Sequence, residues 1–224
     1  SLAISGGLPD YEYGHFLKTL SPGGLFVTPE AYITVNNGDL DNTCQRLIDC
    51  HEVSDLFRGE GRRLPYVFNE YCTTWGNPSH DNIVNIVDTI KDKDFDYFVI
   101  DAGWYSAGDI GWEHNMGDWE IADNLFPEGL KATVDVIRNA GMKPGIWFEL
   151  EVVGKLAKAL AYKDHILKKH GKIIMSGERF FWDMRDEWTK DYLKKKVIDF
   201  LNEYGFEYIK IDYNESIGVG CDGG

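Results

Sequence analysis

Basic residues are scarce in this 224-residue chain: 23 Lys and Arg stand against 37 Asp and Glu, a formal net charge of -14. That balance argues against nucleic acid or an anionic membrane surface as a partner. Cysteine is scarcer still. Cys44, Cys50, Cys72 and Cys221 form no CxxC pair, so neither a zinc framework nor a disulfide scaffold is indicated. Free thiols in a reducing compartment are expected, and with them a cytoplasmic location. The six His are scattered without an HExxH, and there is no Walker loop and no GxGxxG. Metal, nucleotide and dinucleotide chemistry therefore have no motif, and no metal or cofactor is expected. No apolar run is long enough to span a bilayer, and no signal peptide is recognisable, although the start Ser1-Leu2 is uninformative about targeting.

Aromatic residues are abundant: 12 Phe, 12 Tyr and 7 Trp. Clustered near carboxylates they suit sugar rings, and in a core they are only packing. Residues 1–62 differ in pattern from the rest of the chain. Leu25–Thr28 and Ala31–Val35 are strand-like, Asp39 can cap a helix running to about Val53 with Leu47 and Ile48 on its inner face, and Gly59–Arg63 reads as a linker. This piece looks like the tail of a larger β domain. From residue 63 onward strands alternate with helices. The strands are Pro65–Tyr71, Asp96–Asp101, Met142–Glu149 and Phe206–Asp212. Ile83, Ile86, Val87 and Ile90 mark a helix over 80–93, and Leu130, Val134 and Ile137 mark another, opened by Pro127 and closed by Gly141. A helix is expected around 154–169, an extended segment at Phe180–Trp182, and a helix through Tyr192, Val197 and Leu201 that Gly205 ends. Near-continuous apolar strands alternating with helices mean an α/β fold with a parallel sheet buried on both faces.

The acids fall where the strands stop. Strand two ends in Asp101, strand three in Glu149 with Glu151 beyond it, and strand four in Asp212. Strand carboxyl ends share one mouth in a barrel, and an open doubly wound sheet would also bind ligands there. Lys210, Asp212 and Asn214 alternate, so their side chains share one face. A structural Lys–Asp pair is the plain alternative. Carboxylates around one mouth, with Trp104, Trp119, Trp147 and Trp182 nearby in sequence, suit glycoside chemistry. A nucleophilic carboxylate must stay ionised, and a neighbouring Lys210 favours that.

The stretch Tyr208-Ile-Lys-Ile-Asp-Tyr-Asn214 resembles the nucleophile strand of the family 36 glycoside hydrolases, the α-galactosidase group. Four further segments resemble that family in order: Phe68–Tyr71 with Trp75–Pro78, Ile100–Tyr105, Gly117–Trp119, and Gly145–Val153. The resemblance implies the first half of a (β/α)₈ TIM barrel over 63–224, preceded by a short segment from the end of an N-terminal β-sandwich. It implies a retaining mechanism with Asp212 as catalytic nucleophile. It gives Asp101 and Lys210 the galactose hydroxyls, lines the sugar site with Trp104 and Trp119, and brings Arg179 to the sugar from the loop after strand three. Asn214 falls on the same face, and Glu149 and Glu151 order the site through hydrogen bonds. Ala102 stands where many members carry a second consecutive acid. The acid/base Asp of the family is expected beyond Gly224, so the chain is read as part of a longer enzyme acting on α-galactoside oligosaccharides. A galactosyl transferase on the same scaffold and a non-catalytic sugar-binding fragment are the alternatives.

A glycosidic bond needs a general acid, worth about 10²–10⁴-fold. The 224-residue chain by itself is therefore expected to hydrolyse no melibiose, and to associate with itself, as a homo-oligomer, or with another chain through the strand edges at Pro65–Tyr71 and Phe206–Asp212, or to aggregate there. Light scattering and a melibiose assay on the purified chain check both. A monodisperse monomer that hydrolyses melibiose would overturn both, and Glu149 and Glu151 would become the first candidates for the acid.

Overall fold

The computed structural model describes residues 17–50, 64–106, 111–215, 217 and 220–222. Two compact units are present, Ser1–Leu64 with Gly223–Gly224, and Pro65–Asp222. In the first, helix α1 (Leu40–Asp49) starts as expected at Asp39, whose carboxylate accepts the Asn42 amide hydrogen at 2.9 Å. It ends earlier than expected, and Gly59–Arg63 lies outside the described residues. α1 buries no residue, and Ile48 is exposed rather than turned inward. The strands expected at 25–28 and 31–35 do not form. Leu25, Val27, Ile33 and Val35 are exposed there, and two isolated apolar stretches without a packed face cannot hold a ladder.

The second unit is built on a parallel sheet of strands β1 (Val67–Asn69), β2 (Tyr97–Ile100), β3 (Lys143–Phe148) and β9 (Tyr208–Ile211), in the order β1-β2-β3-β9. β1 is shorter than expected because the chain turns at Glu70 into helix α2 (Tyr71–Thr74). Helix α3 (His80–Ile90) returns the chain from β1 to β2, capped by Ser79, and α4 (Leu130–Asn139) returns it from β2 to β3. Pro127 lies in the turn before α4 rather than in its first turn, and Gly129 is the cap. Ile83, Val87, Leu130, Val134 and Ile137 face Phe98, Ile100, Ile146 and Phe148 in one buried core. The alternate strand residues point to the other face of the sheet.

That other face is concave. β2 and β9 approach within 8 Å between Cα atoms although β3 lies between them, whereas a flat sheet would hold them roughly 10 Å apart. Gly145 on β3 makes room for the curl. Tyr97 and Tyr208 meet across it, with ring centroids 5.4 Å apart.

Between β3 and the last helices the helix expected around 154–169 is absent. The chain instead forms β4 (Val152–Gly154), two single 3₁₀ turns (Lys158–Ala161 and Lys163–His165), the hairpin β5 (Lys168–Lys169) and β6 (Lys172–Ile173), then β7 (Met175–Ser176) and β8 (Arg179–Phe181). β4, β8 and β7 make a small antiparallel sheet that closes over the end of β3. Val152, Val153, Ala157, Ala159 and Ile166 enter the core one by one from extended and 3₁₀ backbone. The extended Phe180–Trp182 segment is present as β8 and a bridge from Trp182 to Ile166.

Helices α5 (Glu187–Leu193) and α6 (Phe200–Tyr204) are joined by a π-helical stretch, Lys194–Asp199, and lead to β9. Gly205 ends α6 in the left-handed region at φ 70°, where its carbonyl accepts from Arg138 and a Cβ would lie 2.6 Å from that guanidinium. Left-handed backbone costs a residue with a Cβ roughly 1–2 kcal/mol. Gly205→Ala is therefore expected to lower stability by about 1–2 kcal/mol in urea unfolding, with an unchanged denaturant slope. A loss below about 0.5 kcal/mol would show that this cap does not constrain the entry to β9.

Candidate active site

Three strand ends meet on the concave face. Asp101 follows β2, Glu149 follows β3, and Lys210 and Asp212 lie at the end of β9. The registers Ile100↔Ile146 and Trp147↔Lys210 put Asp101 level with Lys210, and Phe148↔Ile211 puts Glu149 level with Asp212, two residues further along. Lys210 Nζ lies 2.8 Å from Asp101 Oδ2 and 3.8 Å from Asp212 Oδ2. The Trp147 indole N–H donates to Asp212 Oδ2 at 3.0 Å, and the Tyr213 amide donates to Oδ1 at 2.9 Å. Burial pushes the Asp212 carboxyl upward. Hydrogen bonds from Trp147, Asn214 and the Tyr213 amide, with the charge of Lys210, outweigh that push and hold it below the usual carboxylate range.

Asp101 is buried, and three donors hold its carboxylate at the edge of a cavity. Asn69 Nδ2 donates at 2.7 Å, the Ala102 amide donates at 2.8 Å, and Lys210 completes the set. Glu149 is also buried. It accepts from the backbone and side-chain nitrogens of Asn214 at 3.3 and 3.2 Å, and pairs with Arg179 Nε at 3.4 Å. It therefore orders Asn214 from behind, while the Glu151 carbonyl joins the sheet beside it by accepting from Trp182.

A cavity of about 230 Å³ opens over these groups, lined by Tyr71, Asp101, Ala102, Trp112, Trp147, Lys210, Asp212 and Asn214. Four residues anticipated from sequence, Asp101, Lys210, Asp212 and Asn214, thus converge on one cavity. Three others lie elsewhere. Trp104 is fully buried, donates its indole N–H to the Trp147 carbonyl at 2.9 Å, and stacks on Trp119 at 6.1 Å. Trp119 is buried with it, so the two support Trp147 and Phe148 from the helix side instead of lining the cavity. Arg179 sits over the ring of Trp112 at 5.8 Å and pairs with Glu149 and Glu215, one layer back from the cavity.

Tyr71, Trp112 and Glu70 were not anticipated. Tyr71 and Trp112 form an aromatic wall, edge to face with centroids 6.1 Å apart, and Trp112 meets Trp147 the same way at 5.6 Å. Trp112 fills space left by Gly76, where a Cβ would lie 2.6 Å from the indole. A larger recess of about 360 Å³, lined by Asn115, Asp118, Glu120 and Lys158 among others, shares no lining residue with this cavity. There Asp118 accepts from the Lys158 and Ala159 amides, and Glu120 from the Lys158 and Lys196 side chains. Among the described residues, no three His, Cys, Asp or Glu side chains are grouped so as to hold a metal ion, and no helix is long and apolar enough to cross a membrane.

Comparison with known proteins converges on one family. A family model described as Melibiase matches residues 25–220. The chain is 26% identical over 226 residues to alpha-galactosidase Mel36A of Lactobacillus acidophilus, covering 96% of this chain and 29% of that protein. The alpha-galactosidase AgaB from Geobacillus stearothermophilus, of glycoside hydrolase family 36, superposes with a TM-score of 0.64 at 24% identity, over 75% of this chain and 23% of that one. A variant of AgaA from the same organism, solved in complex with raffinose, superposes equally well at 0.64, with 23% identity, over 72% of this chain and 23% of that one. This chain thus spans under a third of the length of these relatives. The family match covers most of the sequence and includes every strand that brings a side chain to the cavity: the chain belongs to the Melibiase family.

Proposed function

We propose that this chain carries the glycone-binding floor and the nucleophile of a retaining α-galactosidase acting on α-galactoside oligosaccharides. Its curled four-stranded sheet is read as the first half of a (β/α)₈ barrel. The observation that carries the reading is Asp212, a carboxylate held ionised at the mouth of a sugar-sized cavity by Trp147, Tyr213 and Lys210. The relatives' names and the raffinose complex of AgaA support the substrate class.

In this reading an Asp212 oxygen attacks the anomeric carbon and the bond to the leaving oxygen breaks, giving a covalent glycosyl-enzyme that water later hydrolyses. Lys210 keeps the nucleophile charged, and with Asp101 it offers a paired donor and acceptor to adjacent sugar hydroxyls. Trp147 fixes the carboxylate orientation, and Asn214, held by Glu149, reaches into the cavity beside it. The leaving oxygen must receive a proton from a second carboxyl about 5–5.5 Å from Asp212. Asp101 and Glu149 are committed to Lys210, Asn69, Asn214 and Arg179, so the family resemblance, which puts that acid past Gly224, is the better source.

Two outcomes test the reading in the whole protein. Asp212→Asn should remove nearly all turnover of an aryl α-galactoside with the fold intact, and azide added to Asp212→Ala should restore part of it as a galactosyl azide. Substantial turnover by Asp212→Asn would remove Asp212 as nucleophile. The second concerns Ala102, buried in the cavity lining where no carboxylate can meet a hydroxyl. A site without a partner for a hydroxyl cannot strongly reject the analogue lacking it. Aryl glycosides with and without the C6 hydroxymethyl group should therefore differ in kcat/KM by less than about a hundredfold. A ratio of several orders of magnitude would show that another residue reads that hydroxyl.

A further inference from the structure

Glu70 is a fully buried carboxyl that lines neither of the two cavities described above, yet it is joined to the site at one atom. Its Oε1 accepts the backbone N–H of Asp101 at 2.8 Å, and its Oε2 accepts the Thr74 hydroxyl. The reason is visible in the ladder. β1 pairs with β2 as far as Asn69↔Val99, and the Glu70 amide donates to the Val99 carbonyl. Beyond that point the chain coils into α2, so no strand carbonyl continues the ladder. The next strand amide, that of Asp101, would be a buried orphan donor, which is costly. The Glu70 carboxyl takes the carbonyl's place. The preceding residue, Asn69, holds the Asp101 side chain at 2.7 Å. Two consecutive residues of β1 and its end therefore fix Asp101, one by its carboxylate and one by its backbone.

We propose that Glu70 is a positioning residue for the glycone site, setting Asp101 and through it the Lys210 ammonium that Asp101 shares with Asp212. Hydrophobic packing alone would be better served by an apolar side chain here, since an enclosed carboxyl costs free energy unless it is used. The charged groups that face Glu70 are Asp101 from the end of β2 and Lys210 from β9; α2 presents the neutral Thr74. Burial, opposed by the bonds from Thr74 and Asp101, pushes its pKa up to about 7, so the carboxyl changes charge in the physiological range. Asp212 stays ionised throughout that range. The ionised form of Glu70 is the stronger acceptor, because a charge-assisted hydrogen bond is roughly twice as strong as a neutral one. Asp101 is thus held most firmly above pH 7 and less firmly below it.

The activity arm of the test rests on the proposed α-galactosidase reading and uses the whole protein. In the wild type, KM for an aryl α-galactoside should rise severalfold as the pH falls through about 7. Glu70→Gln keeps a neutral acceptor, so its KM should sit near the low-pH wild-type value with no step there. Glu70→Leu leaves the Asp101 amide unpaired and should raise KM at least tenfold at every pH, a loss that Gln rescues. A structural role alone would lower the melting temperature of the variants and leave the KM–pH curve in place. Coincident curves for wild type and Glu70→Gln overturn the proposal.

A second arm is independent of turnover. With ¹⁵N-labelled aspartate, the Asp101 amide signal should titrate with a midpoint near 7 in the wild type and stay fixed over that range in Glu70→Gln. An Asp101 amide that ignores pH in the wild type also overturns the proposal. Absence of α-galactoside turnover by the wild type would count against the functional reading, and the amide titration would then decide this one.

Discussion

One ammonium group holds the concave face together. Lys210 bridges Asp101 and Asp212, carboxylates on strands that β3 separates. Asp101 is almost wholly enclosed, and an unpaired buried carboxylate costs several kcal/mol. Lys210 offsets that cost, but only because the sheet curls enough to bring β9 toward β2. Gly145 on β3 suits the curl, since a Cβ there would lie 3.0 Å from both Tyr208 and Val99. A glycine in the middle of a strand is locally unfavourable. Here the weakness is traded for the geometry that pairs the charges.

Around that pair the polar residues are arranged in layers. The cavity layer is Asp101, Lys210, Asp212 and Asn214. Behind it Glu70 holds the Asp101 backbone, Asn69 holds its carboxylate, and Glu149 holds Asn214. Behind Glu149, Arg179 pairs with it and covers Trp112, so the polar support on one side and the aromatic wall on the other share one guanidinium. Each buried carboxylate is satisfied by amides or cations, which is the condition under which buried polar networks add rigidity instead of cost.

The polar face of the sheet was legible in the sequence because strand geometry is periodic. Alternation alone places Lys210, Asp212 and Asn214 on one face, and apolar runs that stop at an acid locate Asp101 and Glu149. The same rule would have found Glu70. Reading β1 as far as Tyr71 hid an acid that actually marks the end of that strand. Trp104 and Trp119 were drawn to the sugar site because tryptophan serves packing and carbohydrate contact equally well, and sequence does not say which side of the sheet a loop residue reaches. Trp112 was missed for the converse reason. It lies in a short 3₁₀ turn without periodicity, and only its seat against Gly76 and under Arg179 brings it to the cavity. The helix expected around 154–169 does not form because this stretch enters the core through extended and 3₁₀ backbone, whereas the extended segment at Phe180–Trp182 is present.

The charge balance of the assembled site bears on the proposed chemistry. Asp101, Glu149 and Asp212 face two cations, Lys210 and Arg179, and Arg179 is also drawn toward Glu215. Those three carboxylates exceed the two cations by one negative charge, before Glu215 and Glu70 are counted. It resides at Asp212, the one of the three carboxylates that is only partly enclosed, since the other two are buried in their own hydrogen bonds. Glycoside cleavage develops positive charge at the anomeric carbon in its transition state. A fixed excess of negative charge in a low-dielectric recess stabilises that state more than the neutral ground state, without reorganisation at the moment of reaction. Lys210 limits the excess. Without it Asp101 would have no cation, and the mutual repulsion of the carboxylates would raise the pKa of the nucleophile. The spacing of 2.8 Å to Asp101 against 3.8 Å to Asp212 divides these tasks: the shorter contact neutralises the buried acid, and the longer one leaves Asp212 charged, with Trp147 and the Tyr213 amide to orient it.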